Sequence, residues 1–465
     1  MADLTLHNGL VVTPAGIVRG GLAAAGGRII AVGADEALPR SPTDIDVGGK
    51  LIFPGAIDPH THLGVGHGQG IKMGFEKFQR EFFSESQDAA TGGVTTVIST
   101  TRFGPGAQTT VVDAMVEAGK GHSYVDYRLS AGISNRDHIR EIPDLLARGV
   151  RSFKFLLGYH GEQARSLGAP EAGIGWAVFY EACEALGGYP GAFAMIHAEE
   201  PAIRDITVPR GRASGRTDFL QAWHEANPDL LEPMQIYPAA LIAREKGCPL
   251  YVVHASAAES VDLILYLRER GVDITGETLV AYLYYTAEEC DRRGLGAYAK
   301  VQPPIRSAKD RNRLWRGLND GGIRCVGTDC LLYSKGFRQG DFWDVAVGLG
   351  PGMSCTIPAV YTAGVLGGRI TMETMAKVLS ENAARRFGIY PQKGVLQPGS
   401  DADVVVVDQN RSMTIDAAAL KSAAGYSIYD GLTLHGIPAL TFVRGQLVAK
   451  DYEIVADRPQ GCYVG

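Results

Sequence analysis

The chain is short of several things whose absence narrows its function. Seven cysteines in 465 residues are an odd number with no Cys-x-x-Cys pair, which reads as reduced thiols of a cytoplasmic protein. Positive charge is not in excess: Lys and Arg number 45 against 51 Asp and Glu, for a net charge of -6, so nothing supports a nucleic-acid partner. No uninterrupted apolar run is long enough to span a membrane. The opening "MADLTLHNGLVV" lacks the basic segment and long apolar core of a signal peptide. Low-complexity tracts are absent, and so are repeats at solenoid or propeller periods.

What is present is an ordinary globular composition, 45% hydrophobic and 21% charged, in a chain long enough for one large domain and a smaller one. The first fifty residues read as short strands separated by glycine pairs: "DLTLHNGLVVT", "GGLAAAGGRIIAVG" and "DIDVGGKLIF". The same texture returns in "DADVVVVDQN" and "ALTFVRGQLVAKD". We therefore expect residues 1–53 and 395–465 to form one small β domain, with 54–394 inserted between them. That middle part alternates. Eight apolar, β-branched segments, from "LIFPGAID" to "IRCVGTDC", are mostly separated by helix-like stretches such as "AAESVDLILYLRERG" and "EPMQIYPAALIAREKG". Such alternation predicts an α/β fold, a (β/α)8 barrel of the TIM type, with long loops. A doubly wound sheet is the rival, but no GxGxxG follows the first strand.

In a barrel of this kind, chemistry collects at the carboxyl ends of the strands. Those ends carry His60 and His62 on strand one, Lys154 on strand four, His197 on five, His254 on six and Asp329 on eight. Taken alone, His60-x-His62 is either packing at a strand end or a ligand pair. Residues i and i+2 share a face of a strand, so both rings can enter the barrel mouth. Four imidazoles and a carboxylate, in barrel order, suit zinc or another borderline divalent ion. Lys154 is the odd member, because an ammonium has no lone pair and repels cations. Carboxylated by carbon dioxide, it becomes an anionic oxygen ligand able to bridge two metals.

The stretches "PGAIDPHTHLG", "SFKFLLGYHG", "IHAEE", "VVHAS", "GETL" and "GTDC" resemble the amidohydrolase superfamily, specifically its dihydropyrimidinase/hydantoinase branch. The resemblance covers nearly the whole chain, including the closing "FVRGQLVAKD" and a small β-sandwich split between the termini. It implies two divalent ions: His60, His62, carboxylated Lys154 and Asp329 on one, and Lys154, His197 and His254 on the other. The expected reaction is opening of a cyclic amide or ureide by a metal-activated hydroxide. Asp329 would shuttle the proton, and Tyr159 would hydrogen-bond the developing oxyanion. Relatives suggest a homotetramer or dimer.

Departures from the branch put the substrate in question. Asp329 is followed by Cys330, either a packing residue or a change beside the metals, where the branch commonly has histidine. "VQPPIRS" places Gln302 where a serine contacts substrate, and "VGLGPGMSC" lacks the usual asparagine. A hydantoin or dihydrouracil substrate is therefore in doubt. Arg102, at the end of strand two, is a candidate for gripping an anionic group. The glycine-rich loop over 64–75, with His67 and Lys72, is expected to be solvated. Allantoinase and hydrolases of other cyclic imides or lactams remain open. Dihydroorotase usually carries an arginine just after His-x-His, and "HTHLGVG" has none. A non-catalytic, dihydropyrimidinase-related binding protein is disfavoured because all six ligands are retained.

Overall fold

The computed structural model describes residues 1–65, 74–166 and 168–465. The chain opens with β1 (Leu4–Thr13), β2 (Gly16–Ala25), β3 (Arg28–Gly33), β4 (Thr43–Asp46) and β5 (Leu51–Pro54). Eight strands follow: β6 (Ala56–Thr61), β7 (Val94–Thr100), β8 (Asp126–Gly132), β9 (Ser152–Leu156), β10 (Phe193–His197), β11 (Leu250–Val252), β12 (Ile274–Leu279) and β13 (Cys325–Gly327). The chain returns to the first layer with β14 (Val404–Thr414), β15 (Thr433–Val443), β16 (Gln446–Lys450) and β17 (Glu453–Ile454).

Strands β6 to β13 pair in sequence order and in parallel, the arrangement of a (β/α)8 barrel. The ring closes just past β13. The Asp329 amide donates to the His60 carbonyl at 3.0 Å, and the His62 amide donates to the Cys330 carbonyl at 2.8 Å. The buried Asp58 carboxylate secures the same seam by accepting from the Thr328 amide and hydroxyl. Every residue of the eight strands is buried. Helices cover a parallel sheet on its outer face, so its strands read as continuous apolar runs instead of alternating ones. The two expected helices lie over Leu231–Glu245 and Ala258–Glu269, on either side of β11.

One expected strand is in fact two. "LIFPGAID" divides at Gly55: β5 belongs to the outer sheet and β6 to the barrel. Gly55 turns that corner because a Cβ there would fall 2.1 Å from Thr95 Oγ1. The outer sheet has nine strands in the order β17-β16-β15-β14-β5-β1-β2-β3, with β4 beside β1. Its two terminal contributions join where β14 runs antiparallel to β5, pairing Val404 with Pro54. Leu6, Val11, Leu22, Ile52, Val404 and Phe442 form part of its core. Lys393 fastens this layer to the barrel. Its buried ammonium lies 2.7 Å from Asp126 on β8 and 2.6 Å from Asp403 just before β14.

Candidate metal centre

The carboxyl ends of the barrel strands converge as the strand pattern predicts. His60 sits in β6 and His62 just after it, Lys154 in β9, His197 at the end of β10, His254 just past β11 and Asp329 just past β13. Lys154, His197, His254, His62 and Asp329 all line a cleft of about 1160 Å³. His60 lies behind them, completely buried.

The contacts fall into two groups. In the first, Asp329 Oδ1 stands 3.1 Å from His62 Nε2 and 3.6 Å from His60 Nε2, and Lys154 Nζ is 3.1 Å from His60 Nε2. In the second, His197 Nδ1 and His254 Nε2 face each other at 3.0 Å. The ligand atoms of His60, His62 and Asp329 all lie within 4.8 Å of one another.

Two carboxylates behind the rings orient them. Glu277, on β12, stands 3.2 Å from His60 Nδ1 and accepts from the His254 amide at 3.1 Å and from the Tyr251 hydroxyl at 2.7 Å. Glu199 Oε2 stands 3.1 Å from His197 Nε2. Partners of this kind fix ring orientation and tautomer at metal sites. A carboxylate within a buried strand needs such a partner, and that is the signal "ITGET" carries for Glu277.

Backbone conformation is also committed to the cluster. His254 has φ of 37° and Asp329 φ of 51°, a region unfavourable for residues with a Cβ. Each such residue costs on the order of 1–3 kcal/mol and persists only where its surroundings hold it. Here the His254 amide is held by Glu277 and the Asp329 amide by the His60 carbonyl. At Gly158, beside Tyr159, any Cβ would meet the His197 ring at 2.8 Å.

Electrostatics favours ligand-ready protonation states. Burial, with Lys154 beside it, holds the His60 imidazole well below its usual range. Burial and His197 do the same to His254. Burial also lowers His197, against the pull of Glu199. These rings are neutral, the form that binds metal. Burial pushes the Lys154 ammonium down to about 7. For Asp329 burial acts upward, but His60, His62 and Lys154 outweigh it and hold the carboxyl at about 2.

The expected substrate contacts also reach the cleft. Tyr159 lines it with its ring 4.4 Å from the His197 ring, and burial together with Glu199 keeps its hydroxyl protonated. Gln302 lines it too, with its Oε1 accepting from Arg204 at 2.6 Å and Gln163 at 2.9 Å. Arg204 carried no sequence signal, since it sits in the helix Pro201–Ala213 among ordinary surface residues. Arg102 is not among the described lining residues, although its neighbour Phe103 is. Cys330 is fully buried in the main core, with Thr61 and Leu349 as strand neighbours, so it packs. His67 and Lys72 lie outside the described residues.

Residues 51–448 match the amidohydrolase family. An L-hydantoinase of Paenarthrobacter aurescens is 32% identical over 100% of this chain and 98% of its own length. Among solved structures, the L-hydantoinase (dihydropyrimidinase) from Arthrobacter aurescens is similar at TM-score 0.89 and 30% identity, covering 100% of this chain and 99% of that one. The dihydropyrimidinase from Brevibacillus agri NCHU1002 reaches TM-score 0.88 at 26% identity, covering 100% and 98%.

Proposed function

The chain belongs to the amidohydrolase family, and from that premise we propose that it opens a cyclic amide or ureide ring by metal-dependent hydrolysis. The observation that carries this is the convergence of four imidazoles, three of them held neutral by burial, on one carboxylate and one lysine at the mouth of a barrel. Hydantoinases matching the whole chain support the substrate class.

The donor set fits a pair of cations. His197 Nδ1 and His254 Nε2 face each other at 3.0 Å, and His254 Nδ1 is buried with no hydrogen-bond partner among the described residues. One ion would be held by His60, His62, Lys154 and Asp329, and the other by Lys154, His197 and His254, with zinc as the expected metal. Bound there, divalent ions make water more acidic and polarise a carbonyl. Carboxylation supplies the shared anion: the neutral Lys154 amine bonds to the carbon of carbon dioxide and releases a proton.

The remaining work falls to side chains. Asp329, ionised at neutral pH, takes a proton from the attacking water and passes it to the ring nitrogen as the C–N bond breaks. Tyr159, kept protonated, donates its hydroxyl to the carbonyl oxygen as charge develops there. Gln302 lines the same cleft and offers a carboxamide to the substrate.

A panel of cyclic amides, imides and ureides, allantoin included, tests the reading on fully metallated protein. Ring opening of at least one is expected, with dihydrouracil and unsubstituted hydantoin poor. Failure on every ring removes the proposal. Lys154→Ala should lose both metal and turnover, with partial rescue by a small carboxylic acid. An unmodified lysine in fully metallated protein would refute the bridging role.

A further inference from the structure

Arg204 is the only arginine among the described residues lining the cleft. It is 7% exposed, and its guanidinium meets three neutral oxygens: Asn227 Oδ1 at 2.8 Å, Gln163 Oε1 at 3.2 Å and Gln302 Oε1 at 2.6 Å. No carboxylate lies within 4 Å of it among the described residues, so Glu199 offsets its charge only from a distance. A guanidinium has five N–H donors, and these contacts use three. Beside it, Gln302 is 3% exposed and its Nε2 is buried without a hydrogen-bond partner.

Three other buried cations have acceptors of their own. Lys300 donates to the carbonyls of Phe342, Trp343 and Val345. Arg128 and Arg338, also buried, donate to main-chain carbonyls and do not line the cleft among the described residues. Two rim carboxylates are occupied as well, Asp205 by His160 and Asp344 by Arg212. Buried charge without a paired counter-charge is costly unless something completes it. At Arg204, which lines the cleft, an acceptor bound there would supply it. Two spare guanidinium N–H groups and the two N–H groups of the Gln302 amide are donors suited to a carboxylate.

We propose that the ring opened by this protein carries a carboxylate on its substituent, and that Arg204, with Gln302 Nε2 beside it, is the specificity-determining group that binds it. The inference rests on the hydrolytic reading above and narrows its substrate class. It also relocates the arginine absent after His60-x-His62: an anion grip is supplied from the helix that follows β10.

The test compares 5-(carboxymethyl)hydantoin with its primary amide, which has nearly the same shape and no charge. Metallated wild type should favour the acid by at least 30-fold in kcat/KM, chiefly through KM. In Arg204→Gln the acid-to-amide ratio should fall to within a few-fold of one, and Arg204→Lys should restore part of it. Gln302→Glu keeps the arginine packed but offers it an internal carboxylate, so it should reverse the preference even if the arginine variants fail to fold. Equal use of acid and amide by wild type overturns the proposal while leaving ring hydrolysis intact. Opening of neither ring, nor of any other in the panel, counts against the hydrolytic reading itself.

Discussion

Two clusters in this chain contain the same kinds of side chain and behave differently. His60, His62 and Asp329 gather at the barrel mouth. His224, Asp229 and Asp310 gather between the helix Phe219–Ala226 and the helix Ala308–Asp320. In the second cluster the chain supplies its own cation. Arg306 donates to Asp229 at 2.8 Å and to Glu232 at 2.9 Å, and its Nη1 is 3.5 Å from His224 Nδ1. Asp310 spends its oxygens on the Ser307 cap and the Ala258 amide. Beside the first cluster the imidazole nitrogens of His197 and His254 face each other, and among the described residues the cation in contact with it is a lysine pushed toward neutrality. Converging donors with an internal arginine are scaffold. Converging donors without one fit the cations proposed above.

The sharpest way to break that comparison is to remove the internal cation. Arg306→Met should leave Asp229 and the deeply buried Glu232 without their counter-charge, at a cost of about 3–5 kcal/mol in denaturant unfolding. Metal stoichiometry per folded chain should not change, because the hydrogen bonds of Arg306 go to none of the barrel-mouth ligands. A variant of normal stability, or one that loses metal while folded, would erase the distinction drawn between the clusters.

At the barrel mouth the matching substitution acts on chemistry. Asp329→Asn keeps an oxygen for a cation but cannot accept a proton. Turnover should fall about 100-fold or more, roughly 2.7 kcal/mol in the barrier, with most metal retained by elemental analysis. Near-normal turnover would mean that the proton is handled by another group.

The comparison also shows which features the sequence could display. The barrel was legible because both faces of its strands are buried, which makes each strand an apolar run. The six candidate ligands stood out because each lies in or just after such a run, in barrel order. Glu277 was visible in "GETL" but not its role, since contacts to His60 and His254 join strands far apart in sequence. The division of "LIFPGAID" was hidden because β5 and β6 are equally buried in two different sheets. Arg204 was hidden for another reason: a helix face turned into a cleft resembles one turned to solvent when the residue is charged. His224 carries no pattern in the sequence, and its lowered titration comes from burial and from Arg306, which is distant in sequence.

That titration supplies the smallest effect and the finest test. Burial, reinforced by Arg306, pushes the His224 imidazole down to about 4. Above its unfolded value near 6.5 the ring is neutral in both folded and unfolded chains, so its contribution to stability is constant. As pH falls below that value the unfolded chain gains a proton that the folded chain refuses, and stability declines until about pH 4. His224→Asn keeps an oxygen acceptor near Arg306 and removes the titration. Between pH 7 and 4 the wild type should therefore lose on the order of 2 kcal/mol more unfolding free energy than the variant. Carboxylates common to both proteins cancel in that difference. The histidines of the barrel mouth should instead report acid through metal release, because protons and cations compete for the same lone pairs. Metal loss and the His224-dependent loss of stability should thus follow separate pH curves, and their coincidence would show that the two clusters are one coupled unit.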